Sequence, residues 1–355
     1  MKKIRNKNSR EALVDCFCVI KRNKQSVFLR IISLSFMLFM GQIAFVSGQE
    51  SKDTLVPRLG LVDVSVCNIH QSADFESPME TQALLGTPVQ ILKTERWYQV
   101  KTPDGYVSFV HKGAVTELSE RQMKIWAEAP KVVVTSHYTW VYSKPTVNST
   151  PISDVVSGCM LRLGDDELAS FYQVIYPDGR TGYLKKTDGM DQEEWFASRT
   201  SDASHLQQVA LSLTGIPYLW AGASAKGVDC SGLVWISGYL NGKIFPRNAS
   251  QQAKIGKRFD ASEASLKQLV PGDLMLFGRA ATETSSEKVI HIGIYLGKGE
   301  FIHSQGFVHV SSLDPNSPIF DSFNRDRWLG AAHIYDEKGQ ILAPSIETSP
   351  FYRVK

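Results

Sequence analysis

The residue types that covalent catalysis needs stand at three places in this 355-residue chain: Cys230, His291 and His303. Cys230 lies in Asp229-Cys230-Ser231-Gly232, just ahead of apolar residues at helical spacing, Leu233, Val234, Ile236 and Leu240. Asp or Ser before such a run marks a helix start, so Cys230 is expected in a first turn. Unpaired backbone N–H groups and the helix macrodipole favour an anion there, which stabilises the thiolate and makes the sulfur nucleophilic. The ordinary fate of a lone Cys is to fill a buried gap. A nucleophile also needs a base, and the base needs an orienting partner.

Both candidates stand between Val289 and Ser304. Strand alternation sets Ile290, Ile292, Ile294 and Leu296 on one face. His291, Gly293 and Tyr295 then point the other way, away from the core. Gly297-Lys298-Gly299 reads as a three-residue loop that pairs Leu296 with Glu300 and Gly293 with His303. His303 becomes a diagonal neighbour of His291 on the same face. A loop of two or four residues would send the two rings to opposite faces. A lone His in a strand is ordinarily a satisfied structural group. Two on one face, with a Cys at a helix start, suit Cys230 as nucleophile, His291 as general base and then acid, and His303 as orienter of the imidazole. Metal binding by the two rings is the weaker option, because no carboxylate lies at ligand spacing. No metal or cofactor is expected.

The elements that must position these groups occupy residues 203–340. A helix over 204–214 is followed by the Cys230 segment and a loop at Pro246–Gln252. Strands then follow at 274–277, 289–296, 300–304 and 307–311. Short turns between consecutive strands predict an antiparallel sheet with helices on one side, an α+β layer. The polar stretch Ala280–Lys288 reads as an exposed loop.

Upstream lies an internal repeat. Trp97-Tyr98-Gln99-Val100, with its Pro103-Asp104-Gly105 turn and Tyr106, returns 74 residues on as Phe171-Tyr172-Gln173-Val174, Pro177-Asp178-Gly179 and Arg180. Gly86 matches Gly158, a shift of 72. Alternating runs split by Pro-Asp-Gly turns are a hairpin signature and predict two small all-β barrels, over 59–118 and 130–187. A short helical connector at 119–129 and an acidic linker at 188–202 bound the second.

Hydrophobic content of 43% is enough for packed cores. The net charge of +3 hides an asymmetry: residues 1–48 carry nine Lys/Arg against Glu11 and Asp15, which leaves the remainder at −4. That argues against a nucleic-acid partner. Residues 31–46 are an apolar run behind Lys21, Arg22, Lys24 and Arg30. The run is short of the roughly 20 residues a span needs. It ends in Val46-Ser47-Gly48, small residues like those at a signal-peptide cleavage site. Residues 1–48 are therefore expected to be a signal peptide. The mature chain is expected in the periplasm or cell envelope, without stable membrane insertion. Cys67, Cys159 and Cys230 remain after the leader, an odd number that leaves at least one free thiol.

Residues 203–335 resemble the NlpC-type cell-wall cysteine peptidases, a papain-like fold. The resemblance is carried by Tyr218-Leu219-Trp220-Ala221-Gly222, Asp229-Cys230-Ser231-Gly232-Leu233, Pro246-Arg247, Gln251-Gln252, Pro271-Gly272-Asp273-Leu274, His291-Ile292-Gly293-Ile294-Tyr295 and Phe301-Ile302-His303-Ser304. It implies a triad of Cys230, His291 and His303, with Tyr218 lining the site and helping to hold the oxyanion. Ala221 departs from the family's usual Gly.

The repeats resemble bacterial SH3-like domains. Two of them ahead of such a peptidase are similar to the γ-D-glutamyl-L-diamino acid endopeptidases. Those enzymes cut peptidoglycan stem peptides between D-Glu and the diamino acid and favour a free N-terminal L-Ala. The resemblance implies that Asp229 and Ser231 bind the amino end of the substrate, with Ser250 also among the substrate-binding residues. It further implies that the first SH3-like domain closes that end of the cleft through an acid and a Tyr, here Glu80 and Tyr106. A carboxylate there pairs with a free α-ammonium group and discriminates against an acylated one. Murein-derived peptides are the expected partners, and the enzyme is expected to be a monomer. Two other classes stay open: a non-catalytic wall-binding protein, and an acyl transferase or amidase using the same Cys-His site.

Overall fold

The computed structural model describes residues 58–353, so the leader reading lies outside the described residues. The alternating runs of the repeat form strands β1 (Arg58–Val62), β2 (Val66–His70), β3 (Met79–Leu84), β4 (Pro88–Thr94), β5 (Trp97–Lys101), β6 (Val107–His111) and β7 (Val115–Leu118). Their spatial order is β3-β2-β6-β5-β4-β1-β7. After helix α1 (Glu120–Glu128) come β8 (Lys131–Val134), β9 (Tyr138–Tyr142), β10 (Pro151–Val156), β11 (Met160–Glu167), β12 (Phe171–Ile175), β13 (Thr181–Lys185) and β14 (Gly189–Asp191). The second order, β10-β9-β13-β12-β11-β8-β14, repeats the first strand for strand. The matched glycines do the same local job: Gly86 and Gly158 turn the chain at φ +83° and +89°, and Gly105 and Gly179 at +85° and +90°.

The third region starts with α2 (Gln192–Ala197) and α3 (Ala203–Ser212). A two-stranded ribbon follows, β15 (Ala223–Ser224) and β16 (Gly227–Val228), then α4 (Cys230–Tyr239), α5 (Ala249–Gln252) and α6 (Glu263–Leu266). Strands β17 (Lys257–Phe259), β18 (Leu274–Arg279), β19 (Lys288–Gly297), β20 (Glu300–Gln305), β21 (Phe307–Ser312) and β22 (Trp328–His333) make an antiparallel sheet, with α7 (Ser322–Asp326) before the last. Its order is β17-β22-β18-β19-β20-β21. All ten residues of α4 are buried, as fits a helix that is apolar all round.

Two expectations are corrected here. The β19–β20 pairing joins Gly293 to His303 as expected, but Gly297, not Leu296, faces Glu300. The turn is the two-residue pair Lys298-Gly299, at φ +53° and +81°. A register shift between Tyr295 and Gly297 supplies the extra residue that keeps both histidines on one face. The face of His291 is also not free of core. Ile292, Ile294 and Ile302 pack with α4 in the main cluster, while Met275, Phe277, Tyr295, Phe301 and Trp328 form a second cluster on the opposite side.

The main cluster includes Leu84 and Leu85 of the first sheet region, Val132, Val133 and Val155 of the second sheet, and Leu233, Val234 and Ile236 of α4. Polar ties reinforce it. Gln82 Oε1 accepts from the Ala223 N–H at 2.9 Å and the Ser224 hydroxyl at 3.1 Å. Trp235 Nε1 donates to Asp104 Oδ2 at 3.1 Å, so the first Pro-Asp-Gly turn docks on the Cys-bearing helix. The second copy spends its turn differently: Arg180 pairs with Asp178 and reaches Asp63 at 3.3 Å. Lys226, in the ribbon ahead of Cys230, reaches Ser65 at 2.9 Å and Asp154 at 2.5 Å.

Candidate active site

Cys230 is the first residue of α4, and Asp229 is its N-cap, accepting from the Gly232 N–H at 2.6 Å. The motif glycine is needed because a Cβ on Gly232 would meet the Gly222 carbonyl oxygen at 1.9 Å. The loop carrying Tyr218 is thereby packed directly on the first turn. Ser304 Oγ donates to the Val228 carbonyl at 2.8 Å, tying β20 to the same loop. The backbone N–H of Ile292, the residue after His291, favours the Cys230 anion, as does that of Ser231. The sulfur therefore lies against the strand that carries the base.

His291 Nε2 and His303 Nδ1 are 2.8 Å apart, and His303 Nε2 is 3.0 Å from Ser311 Oγ. Asp321 Oδ2 lies 4.0 Å from that same Nε2. A base acting through Nδ1 of His291 fixes every proton in the row: Nε2–H donates to His303, and His303 Nε2–H donates to the Ser311 hydroxyl. Both rings are buried, at 6% and 0% exposure, against Phe277 and Phe301, and their polar contacts run along this row. Burial holds the His291 imidazole well below its usual range, helped by the charges of His303 and Arg327. It takes His303 down to about 3. Cys230 is 9% exposed, and burial pushes its thiol up to about 11, with the Asp229 charge adding to the rise. The resting thiolate expected from the helix dipole is thus corrected. The dipole's N–H groups are in place, but desolvation outweighs them, and the pair rests as thiol and neutral imidazole.

A cleft of about 460 Å³ opens beside the sulfur. Its lining brings together Cys230, Tyr218, Asp229, Ser231, Ser250, Glu80 and Tyr106, every cleft residue expected from the sequence. Glu80 and Tyr106 come from the first sheet region. Glu80 Oε2 accepts from Ser108 Oγ at 2.7 Å, and the Tyr106 hydroxyl is bonded to Asn248 and feels the Glu80 charge. Ser250 stands exposed on α5 at the rim. Burial next to Cys230 raises the Tyr218 phenol to about 12, so it remains a hydrogen-bond donor. His291 and His303 lie behind this lining rather than in it.

Asp229 and Ser231 do not fit the part of amine receiver. Asp229 Oδ1 accepts from Gly232 N, Ser231 Oγ at 3.1 Å and Arg247 Nη1 at 3.0 Å. Its Oδ2 accepts from Ala221 N at 3.0 Å and Arg247 Nη2 at 2.8 Å. With a guanidinium already against both oxygens, the carboxylate has neither lone pairs nor net charge to offer an ammonium group. Ser231 Oγ is held between Asp229 and Arg247 at 2.9 Å. Glu80 is left as the carboxylate in the cleft lining without an ion pair among the described residues.

Two contributors are not evident from sequence reasoning. Arg247, 1% exposed, also donates to the Gly222 carbonyl and to Thr81 Oγ1, so it links the catalytic loop to the first sheet. Gln252 Nε2 donates to the Ser231 and Pro246 carbonyls at 3.0 and 2.8 Å. Both stood in the Pro246-Arg247 and Gln251-Gln252 motifs. A charged residue inside a loop of small and apolar neighbours was the available signal for the first. Cys67 and Cys159 are free and fully desolvated thiols, each pushed up to about 12 and outside the cleft.

A buried thiol at a helix start, two bonded imidazoles on the neighbouring hairpin and an open cleft beside the sulfur make up a cysteine-peptidase site. Residues 215–327 match the model of the NlpC/P60 family, and residues 69–115 that of the bacterial dipeptidyl-peptidase Sh3 domain. The chain thus carries an NlpC/P60 peptidase domain, a hydrolase, behind a bacterial dipeptidyl-peptidase Sh3 domain. It is 26% identical over 276 residues to a Lysinibacillus sphaericus protein named dipeptidyl-peptidase 6, covering 73% of this chain and 93% of that one. It is 28% identical over 235 residues to the γ-D-glutamyl-L-lysine dipeptidyl-peptidase of Bacillus cereus, covering 64% and 67%. The crystal structure of an NlpC/P60 family protein from Bacillus cereus shares the fold at a TM-score of 0.63 and 24% identity, over 78% of this chain and 99% of that one. No helix among the described residues is long and apolar enough to cross a membrane.

Proposed function

We propose that the protein is an exported cysteine endopeptidase that hydrolyses the γ-D-glutamyl-L-diamino acid bond of peptidoglycan stem peptides with a free N-terminal L-Ala, in cell-wall turnover or recycling. Residues 1–48 act as its signal peptide, 59–118 and 130–187 as two SH3-like domains, and 203–340 as the peptidase domain. The matched strand orders support the second SH3-like assignment. The observation that carries the reading is the position of Glu80 and Tyr106. An acid and a phenol from the first sheet region share one cleft with Cys230.

In this reading the Cys230 thiol proton passes to His291 Nδ1 as the sulfur attacks the γ-carbonyl carbon of D-Glu. The oxyanion is met by the Cys230 N–H at the helix start and by the Tyr218 hydroxyl. Collapse breaks the C–N bond, and His291 gives its proton to the departing α-amine. Water then attacks the thioester, losing a proton to His291. Cleavage of the C–S bond releases the L-Ala-D-Glu dipeptide and returns the proton to sulfur. His303 keeps the His291 ring and its tautomer in place throughout.

The test is mass analysis of products from L-Ala-γ-D-Glu-meso-diaminopimelate with wild type and Cys230→Ala. Wild type should yield the dipeptide and the free diamino acid, and the variant neither. An intact tripeptide with wild type points to a wall-binding module instead. Products joined to an added amine, in place of hydrolysis, point to an acyl transferase.

A further inference from the structure

We propose that Arg327 receives a carboxylate of the leaving residue, so that the enzyme selects among its substrates on the far side of the scissile bond as well as at the amino end. The inference deepens the peptidase reading above and rests on it. Arg327 stands between α7 and β22 and is partly exposed. Its Nε and Nη2 both donate to Asn324 Oδ1, at 3.0 and 2.7 Å. Asn324 is fully buried and is itself held by Gln305 Oε1 at 3.1 Å and by Asp321. The guanidinium lies 4.2 Å over the ring of Phe323.

One edge and one face of the guanidinium are thus committed, and Nη1 remains. Among the described residues no carboxylate lies within ion-pair distance of Arg327. Asp321 is in electrostatic reach, but its oxygens go to the backbone and side chain of Asn324. A guanidinium fixed in orientation and lacking a counter-ion suits a planar anion. It is also close to the chemistry. Asn324, which holds it, is bonded to Asp321, and Asp321 Oδ2 lies 4.0 Å from His303 Nε2; the Arg327 charge also pushes both imidazoles down.

Arg327 is not in the lining of the cleft that holds Glu80, Tyr106 and Ser250. It sits with the outer partners of the histidine row. A substrate with its ammonium group at Glu80 places D-Glu at Cys230, and whatever follows the scissile bond must leave past the histidines. Every leaving diamino acid at a peptide C-terminus carries an α-carboxylate, and diaminopimelate carries a second on its side chain. Either supplies the planar anion.

The test compares kcat/KM of wild type, Arg327→Met and Arg327→Lys on four peptides: L-Ala-γ-D-Glu-L-Lys, its C-terminal amide, L-Ala-γ-D-Glu-meso-diaminopimelate, and the lysine peptide with D-isoglutamine in place of D-Glu. Wild type should favour the acid over the amide by roughly tenfold to a hundredfold. Arg327→Met should erase that ratio by slowing the acid alone, and Arg327→Lys should keep part of it. A larger loss for the diaminopimelate peptide assigns the contact to its side-chain carboxylate, and an equal loss assigns it to the α-carboxylate. Equal slowing of acid and amide, or a loss that follows the D-isoglutamine change, overturns the proposal. The wild-type comparisons need no substitution: an acid-to-amide ratio near one together with equal kcat/KM on the diaminopimelate and lysine acids overturns the proposal even if Arg327→Met does not fold. Wild type that cleaves none of the four peptides removes the peptidase reading itself, whereas cleavage without discrimination removes only this inference.

Discussion

Replacing Arg247 with Met should cost about 3–5 kcal/mol of stability, the toll for stranding one partner of a buried ion pair. The side chain is 1% exposed and meets Thr81 Oγ1 at 3.1 Å, Gly222 O at 3.2 Å, Ser231 Oγ at 2.9 Å and both Asp229 oxygens at 2.8–3.0 Å. Met fills most of the volume but leaves the Asp229 carboxylate with only neutral donors. Adding Asp229→Asn removes the stranded charge and keeps a good N-cap for α4. The double variant should therefore be less destabilised than the sum of the two single changes, with a coupling of about 1–3 kcal/mol. Urea unfolding followed by tryptophan fluorescence gives all four corners of the cycle. A single-variant loss below about 1 kcal/mol, or additive single and double effects, would refute the claim that this pair is the buried clamp of the catalytic loop.

Acid should weaken the fold through the histidine row. His303 titrates near 6.5 when unfolded and is pushed down to about 3 in the fold, so between those values the unfolded chain holds the extra proton. Stability should fall as pH drops from 6.5 towards 3, by on the order of 1 kcal/mol per unit at most, and His303→Asn should flatten the urea midpoint against pH. Ala221 sits at φ +60°, a left-handed conformation in which its Cβ costs about 1–2 kcal/mol. The extra chain entropy of Gly offsets much of that gain. Ala221→Gly should therefore unfold at the wild-type temperature or slightly above it, and a drop of several degrees would contradict the strain argument.

Much of this was legible because the local signals were strong. The Asp-Cys-Ser-Gly start of α4 combined a capping residue with an apolar run, and the structure returned both. The repeat was visible because glycines at φ > 0 and Pro-Asp-Gly turns tolerate few alternatives, so Gly86 and Gly158 kept their places. What failed was set by tertiary contact. Strand β22, Trp328-Leu329-Gly330-Ala331-Ala332-His333, lies inside the sheet with both faces covered, so it carries no period-2 pattern. The Leu296 register depended on an irregularity that no residue type announces. The thiolate expectation counted the helix dipole but could not count the burial of Cys230. The amine-receiving role of Asp229 came from the resemblance alone, and its partner, Arg247, eighteen residues away in sequence, could not be paired with it from the sequence.

The central claim is that a carboxylate from the first sheet region reads a free amine at the closed end of the cleft. The direct measurement is kcat/KM on L-Ala-γ-D-Glu-meso-diaminopimelate against its N-acetyl form, for wild type and Glu80→Gln. The account predicts a wild-type preference for the free amine of about a hundredfold, on the order of one desolvated charge pair, and its collapse to within a few fold in Glu80→Gln. Equal turnover of the two peptides by wild type, or a preference untouched by Glu80→Gln, would contradict it.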